Sequence, residues 1–159
     1  LTLVRSRQTS QRPRAMPKID FHQAAKRHFH DADVLLIQHG RSAGAGQLYG
    51  FAAECGIKSL LVWQGYPSDP TTGDLDDRKL RKHIHELAQN IHTLEAFLDG
   101  RGASRYRAML PQLQCFSDWH TEHRYYADAA LPPSIAIWRD GAEDIIRMLD
   151  QILMDVAPL

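Results

Sequence analysis

Two charged residues interrupt an otherwise apolar stretch of the chain. Glu54 and Lys58 are four residues apart among alanines, leucines and an isoleucine, and this order along a helix favours an ion pair. An unpaired charge buried in such a helix would be strongly destabilising. We therefore expect the two side chains to pair with each other or to face a polar cavity.

Further polar residues are candidates to meet this pair. They are His85, His120, Arg124 and Tyr125. One interpretation is a structural network that fixes the register of the helices. The other is a pocket for a phosphate-bearing or nucleotide-like ligand, which Lys58 and Arg124 would contact. The aromatic residues Trp119, Tyr125 and Tyr126 could stack on a base, or could be core or interface residues.

Arg78 and His83 have a spacing that suggests an alternative, catalytic function. Metal-independent cleavage of RNA needs a base near the 2′-hydroxyl and a cation on the phosphate, which this pair could supply across a dimer interface. The other interpretation places both on the solvated face of a helix, paired with nearby aspartates. A chain with 19 basic residues and 9 histidines is expected to contain one such spacing by chance. We therefore favour no catalytic residue and keep Arg78 and His83 as the alternative.

The histidines also suggest a metal site, but their spacing opposes one. His83 and His85 are two residues apart and would point to different sides of a helix. His120 and His123 are three apart and could share a face, but two histidines without a located third ligand form an incomplete zinc site. We predict neither a metal nor another cofactor.

Composition places the chain among ordinary globular proteins. Its 159 residues are 43% hydrophobic and 24% charged, which fits a single domain. Cys55 and Cys115 are far apart and form no CxxC motif, so we expect a reduced protein of the cytoplasm. The apolar runs are much shorter than the ~20 residues of a membrane-spanning helix, so we expect no membrane association.

The net charge of zero hides an uneven distribution. Five basic residues, the last of them Lys18, precede the first acidic residue, Asp20. Residues 1–17 are therefore taken as a basic tail and residues 18–159 as the predicted domain. Because the first methionine is Met16, residues 1–15 could be vector-derived or an upstream extension. The tail is interpreted as a solvated arm or as an arm that binds nucleic acid. The acidic remainder opposes a broad surface that follows phosphates.

Helical periodicity extends through the predicted domain, so the expected fold class is all-α. The first helix should begin with Asp20 as its N-cap and reach Gly40. The second, capped by Ser42 and ending before Gly65, is apolar around most of its circumference and should be central. Small residues on one side of it, among them Gly50, would let another helix approach closely.

Three more helices complete the prediction. A linker of residues 65–74 precedes a helix whose apolar residues recur at steps of three and four. These are Leu80, Ile84, Leu87, Ile91, Leu94 and Leu98. A fourth helix after Pro111 should carry His120 and His123, and a fifth should follow Ser134 as its cap. We therefore expect a five-helix antiparallel bundle.

Several segments resemble HEPN (higher eukaryote and prokaryote nucleotide-binding) domains. Residues 47–61, with small residues before a glutamate, a lysine and leucines, are similar to the second helix of that family. Residues 82–87 resemble its Lys-x-His-x-Leu step, and Arg124 with Tyr125 resembles its late Arg-Tyr pair. The final helix, from near Ala142, resembles the closing helix of the family. The resemblance spans residues 20–156, and its strength is the order of the motifs.

The resemblance implies a helical bundle, frequent dimerisation, and a role in toxin–antitoxin or defence systems. Ribonuclease members of the family carry an arginine and, after a short spacer, a histidine late in the domain. No histidine follows Arg124 in this sequence. The resemblance therefore implies a non-catalytic interaction or nucleotide-sensing module, with a protein partner and a nucleotide or RNA ligand. Apolar stripes together with Trp63, Trp119 and Trp138 predict a homodimer.

Overall fold

The described part of the chain, residues 18–89, 107 and 110–156 of this computed structural model, is mostly helical and contains no β-strand. Its α-helices are α1 (Phe21–Asp33), α2 (Ser42–Trp63), α3 (Ile84–Gln89), α4 (Leu110–Leu113) and α5 (Ile135–Val156). An isolated antiparallel bridge joins Ser68 to Leu75 between α2 and α3. The prediction of an all-α fold is confirmed for these residues, and the number of α-helices described is also five, although they do not coincide one by one with those predicted.

The central helix is α2, because its side chains are apolar or small on almost all sides. It packs against both α1 and α5, and Tyr49 and Leu61 are among its fully buried residues. It ends at Gln64, followed by Gly65 in the left-handed conformation with φ 86°, as the sequence predicts. The predicted cap is wrong, since Ser42 is the first helical residue and is preceded by a residue without a side-chain cap.

α1 begins as predicted and ends earlier than predicted. The Asp20 carboxylate accepts a hydrogen bond from the Gln23 backbone N–H at 2.9 Å. The regular helix stops at Asp33 and continues as a wider π-helical turn, Val34–Gln38, rather than reaching Gly40 as an α-helix. Gly40 then takes a φ of 61°, so that the chain can reverse into α2.

The third and fourth predicted helices differ most from the structure. The third begins only at Ile84, after a series of turns, with Leu80 and Leu87 also buried as expected. The other predicted residues of its stripe, from Ile91 onward, lie outside the described residues. The predicted fourth helix is wrong. α4 has four residues and is followed by 3-10 turns at Gln114–Phe116 and Thr121–Tyr125.

An extended backbone at His120 explains why no helix continues through this segment. His120 has φ −139° and ψ 148°, and its carbonyl accepts a hydrogen bond from the Gln47 side chain at 3.0 Å. This conformation directs the preceding residue, Trp119, into the core, where it is fully buried. Burial of a large indole therefore outweighs the helical tendency of the local sequence.

α5 carries its apolar stripe as predicted. Ala142, Ile145, Leu149 and Ile152 are buried. Ser134, the predicted cap, immediately precedes the helix, and its hydroxyl donates to the Asp118 carboxylate. That carboxylate also accepts from the Trp138 indole at 2.9 Å, which ties the start of α5 to the segment before it. Among the helices described, none is long and apolar enough to cross a membrane.

Candidate functional site

Two glycines of α2 form the floor of the candidate site. A side chain at Gly50 would overlap the indole of Trp119, and one at Gly46 would lie 2.9 Å from Cζ3 of Trp138. The Trp119 indole N–H donates to the Gly46 carbonyl at 2.9 Å. The small residues therefore seat two tryptophan side chains: at Gly46 the neighbour belongs to α5, so a helix approaches as predicted, whereas at Gly50 it is Trp119.

Glu54 and Lys58 form the predicted pair. The Lys58 ammonium donates to Glu54 Oε1 at 2.7 Å, and their side chains are only 9% and 12% exposed, respectively. The ammonium also lies 5.8 Å from the centre of the Phe21 ring, which adds a cation–π contact. Lys58 is thus committed to contacts within the protein and is turned away from solvent.

The second oxygen of Glu54 holds a residue that the ligand hypothesis did not include. Oε2 lies 3.0 Å from Nδ1 of His83, whose side chain is 49% exposed. A carboxylate accepts hydrogen bonds, so Nδ1 is the donor, and in a neutral ring Nε2 then carries the free lone pair. Glu54 therefore orients His83 as a base whose reactive nitrogen is the one not bonded to Glu54.

His83 begins a continuous series of imidazole contacts, which we name the histidine row. The row consists of His83, His85, His120 and His123. The distances between successive ring centres are 6.4, 4.5 and 5.5 Å. Trp119 lies behind the row, 6.1 Å from the His85 ring, and Tyr126 continues it, 5.4 Å from the His123 ring. The sequence predicted that His85 and His120 would meet Glu54 and Lys58, whereas the ring contacts described for them are with each other, His83, His123 and Trp119.

Burial lowers the pKa of two rings of the row. Burial lowers the pKa of His85, and the neighbouring His120 lowers it further, although Glu86 and Glu122 act in the opposite direction. Burial, followed by the same neighbour, lowers the pKa of His123. Nδ1 of His85 is buried and has no hydrogen-bond partner. These rings are therefore largely neutral near pH 7.

Arg124 and Tyr125, the remaining predicted ligand residues, lie at the far end of the row. The Arg124 guanidinium lies 4.7 Å from the centre of the Tyr125 ring. Tyr125 and Tyr126 are 74% and 51% exposed, respectively, and we name the three residues the tyrosine turn. None of the contacts described for the tyrosine turn includes Lys58, so the structure does not join the two predicted phosphate-binding cations. Trp119 is buried and is not available to stack on a ligand.

The alternative catalytic pair is only partly brought together. Arg78 and His83 are both exposed and lie in the turns before α3. Among the hydrogen bonds of the described residues, none joins Arg78 to His83. The structure thus supplies a positioned imidazole without a cation fixed beside it.

The remaining features of the described residues do not add ligands to this site. No group of three or more histidine, cysteine, aspartate or glutamate side chains there is arranged to hold a metal ion. A cleft of about 360 Å³ is lined by the start of α1, the end of α2 and Gly73, and no residue of the histidine row lines it. Burial raises the pKa of Cys55 to about 11, so this thiol is a poor nucleophile.

Sequence reasoning missed a second polar network, which we name the arginine cluster: Asp33, Tyr49 and Arg139. Asp33 accepts from the Tyr49 hydroxyl at 2.7 Å and from Arg139 Nε and Nη2 at 2.9 and 3.0 Å. Partial burial acts to raise the pKa of Asp33, but the hydrogen bonds from Arg139 and Tyr49 outweigh it, and the pKa is lowered. The cluster joins residues 106 positions apart, so no local spacing could have indicated it.

Comparisons of the chain with family models, with curated proteins and with solved structures found no match. The resemblance to HEPN domains therefore stays a prediction.

Proposed function

We propose that the chain is a non-catalytic, HEPN-like binding module that recognises a nucleotide-like or single-stranded RNA ligand at the tyrosine turn. The observation that carries the proposal is the exposed guanidinium of Arg124 stacked on the exposed ring of Tyr125. Bases in single strands bind proteins by stacking on aromatic rings and guanidinium planes, while the cation meets a phosphate. Tyr126 supplies a second exposed ring beside the first.

The histidine row supports this proposal by backing the tyrosine turn: His123 is only 7% exposed, so it positions the turn and does not itself stack on a base. His123 contacts Tyr126, and the row then continues to the exposed ring of His83. Glu54 and Lys58 act in this proposal as a structural pair that holds one end of the row, so that Arg124 supplies the phosphate contact.

A binding titration tests the proposal. The probes are a short fluorescently labelled single-stranded RNA and, separately, AMP, GMP, CMP and UMP. Removal of Tyr125 or Tyr126 by alanine substitution is expected to weaken RNA binding about tenfold, because one stacked base contributes on the order of 1–3 kcal/mol. Arg124→Ala should weaken binding and also reduce its dependence on salt, since one phosphate contact is lost.

Arg147→Ala is the matched control, because Arg147 is a 60% exposed arginine of α5 that pairs with Asp144. This variant should bind like the wild-type protein. Absence of binding by the wild-type protein, or equal affinity of all four variants, would contradict the proposal.

The proposal extends to partners. We propose a cytoplasmic homodimer that acts with a protein partner in a toxin–antitoxin or defence system. The homodimer is supported by exposed apolar residues of α5, since Ile137 and Met154 are 53% and 81% exposed, respectively. Trp119 and Trp138, which the sequence offered for the interface, are buried and support the core instead. Light scattering that gave a monomer at micromolar concentration would contradict the homodimer, and copurification from host cells would test the partner.

A second candidate function is metal-independent cleavage of RNA, and the contact between Glu54 and His83 favours it. Nε2 of His83 would take the proton of a ribose 2′-hydroxyl, whose oxygen would then attack the adjacent phosphorus. The bond to the 5′-oxygen would break, leaving a 2′,3′-cyclic phosphate, and the departing oxygen would take up a proton from water. Arg78 would stabilise the charge on the phosphate.

An RNA cleavage assay separates the two candidates. The binding module leaves single-stranded RNA and transfer RNA intact, and this is the result that we expect. Cleavage that is lost in Arg78→Ala, His83→Ala and Glu54→Gln, but kept in His39→Ala, would establish the ribonuclease instead. Loss only in Arg124, His120 or His123 variants would indicate a catalytic site of different composition.

A further inference from the structure

The histidine row connects parts of the chain that are distant in sequence. His83 and His85 belong to the start of α3, whereas His120 and His123 belong to the 3-10 turn Thr121–Tyr125 and the residue before it. His85 and His120 make the closest ring contact of the row, with centres 4.5 Å apart. An imidazole pair thus lies at the junction of α3 with the 3-10 turn.

Protonation of both histidines at this junction is unfavourable. Two cationic rings at that distance would repel each other strongly, and Nδ1 of His85 is buried without a hydrogen-bond partner. The charged groups that face the row from the described elements are Glu54, Lys58, Glu86, Asp118 and Glu122.

Most of these carboxylates are already engaged elsewhere. Glu54 bonds to Lys58 as well as to the first ring of the row, and Glu86 accepts from Lys82 and from the backbone N–H of His83. Asp118 accepts from Ser134 and Trp138, outside the row. Among the hydrogen bonds found for the described residues, none joins a carboxylate to His85, His120 or His123, and Glu122 acts on His85 and His123 only through its charge.

We propose that the histidine row is an acid-sensitive latch, closed when its rings are neutral and opened when they take up protons. In the closed state, ring contacts hold the start of α3 against the 3-10 turn over Trp119. When acid protonates neighbouring rings, they repel each other and the two segments separate. The packing of α2 against α1 and α5 is made by other residues, and we expect it to stay formed.

Hydrogen exchange of the full chain, followed by mass spectrometry from about pH 7.5 to about pH 5.5, tests the latch. After correction for the intrinsic pH dependence of exchange, wild-type peptides that cover residues 83–89 and 119–126 should lose protection at the acidic end. Peptides from α1 and α2 should keep theirs. His120→Gln removes the closest ring contact, so the acid-induced loss of protection in these two segments should be smaller than in the wild-type protein.

His39→Gln is the matched control, because His39 is exposed and lies in the connection between α1 and α2. It should behave like the wild-type protein. His85→Gln serves as a second variant should His120→Gln fail to fold. The proposal would be overturned if the wild-type protein kept its protection at acidic pH, or if α1 and α2 lost as much protection as the two segments. It would also be overturned if both row variants lost as much protection in acid as the wild-type protein. Because no ligand is used, failure here leaves the proposed binding function standing.

Discussion

The arginine cluster and the histidine row both connect α2 to distant parts of the chain, but they differ in how fully their polar atoms are paired. In the arginine cluster, Asp33 receives hydrogen bonds on both oxygens, and Arg139 reaches it with two nitrogens. In the histidine row, Nδ1 of His85 is buried without a partner, and neighbouring rings meet face to edge or face to face.

The difference shows that polar groups at helix junctions can have two roles: one network fixes a single arrangement, and the other can change its charge state. A fully paired network has one favoured arrangement, and any movement leaves a charge without a partner. A row of neutral imidazoles has weaker, less directional contacts, and its charge state can change near neutral pH. We therefore interpret the arginine cluster as a structural pin and the histidine row as the adjustable part of the protein.

Glu54→Ala is expected to have the largest effect on stability. It leaves Lys58 without its partner, with a lysine side chain only 9% exposed, and it also releases His83. Unfolding in urea should show a loss of ~3 kcal/mol or more. Simultaneous replacement of Glu54 and Lys58 by leucine and methionine should cost less than the single change. A near-zero effect of Glu54→Ala would show that the pair contributes nothing.

Asp33→Ala should have a smaller effect, about 2 kcal/mol. The Arg139 side chain is 28% exposed and keeps a contact with Glu143 at 3.3 Å, so its charge is not left entirely alone. Asp31→Ala, on the exposed side of the same helix, is the control and should change stability little. A loss larger than that of Glu54→Ala would reverse the ranking of the two networks.

The two networks should also respond to acid in different pH ranges. His85 and His123 have lowered pKa values, so the unfolded chain binds protons more readily than the folded one. Their contribution is therefore present above about pH 6.5 and is lost as pH falls below it. Asp33 also has a lowered pKa, so its contribution is lost only below about pH 4.

Urea unfolding at a series of pH values measures both ranges. His85→Gln should flatten the response between about pH 6.5 and pH 5.5, while Asp33→Ala should leave it unchanged. If Asp33→Ala removed the response in that range, the assignment of acid sensitivity to the histidine row would be wrong.

The sequence predicted the contacts that are local and failed on those that depend on tertiary packing. Glu54 and Lys58 are one helical turn apart, so their pairing follows from helix geometry alone. The same holds for the start of α1 at Asp20 and the stop of α2 at Gly65, which short-range hydrogen bonds and backbone conformation determine. Such features need no knowledge of the rest of the fold.

The segment around Trp119 shows why the rest could not be predicted. Its pattern of aromatic and histidine residues is compatible with a helix, but the indole is buried more favourably against Gly46 and Gly50 than in a helix of this segment. That gain depends on two glycines far away in the sequence. Likewise, the contact between Glu54 and His83 required the path of the linker, which periodicity does not specify.

The packing of Trp119 on α2 restricts which substitutions can be accepted during evolution. Gly50 has no room for even a methyl group, and Gly46 is confined by a second indole, so substitutions at these positions require a compensating change in a tryptophan. Histidines at the surface are under no such restriction. In a lineage that kept this fold, we expect the two glycines and their tryptophans either to persist or to change together, even as the exposed histidines diverge.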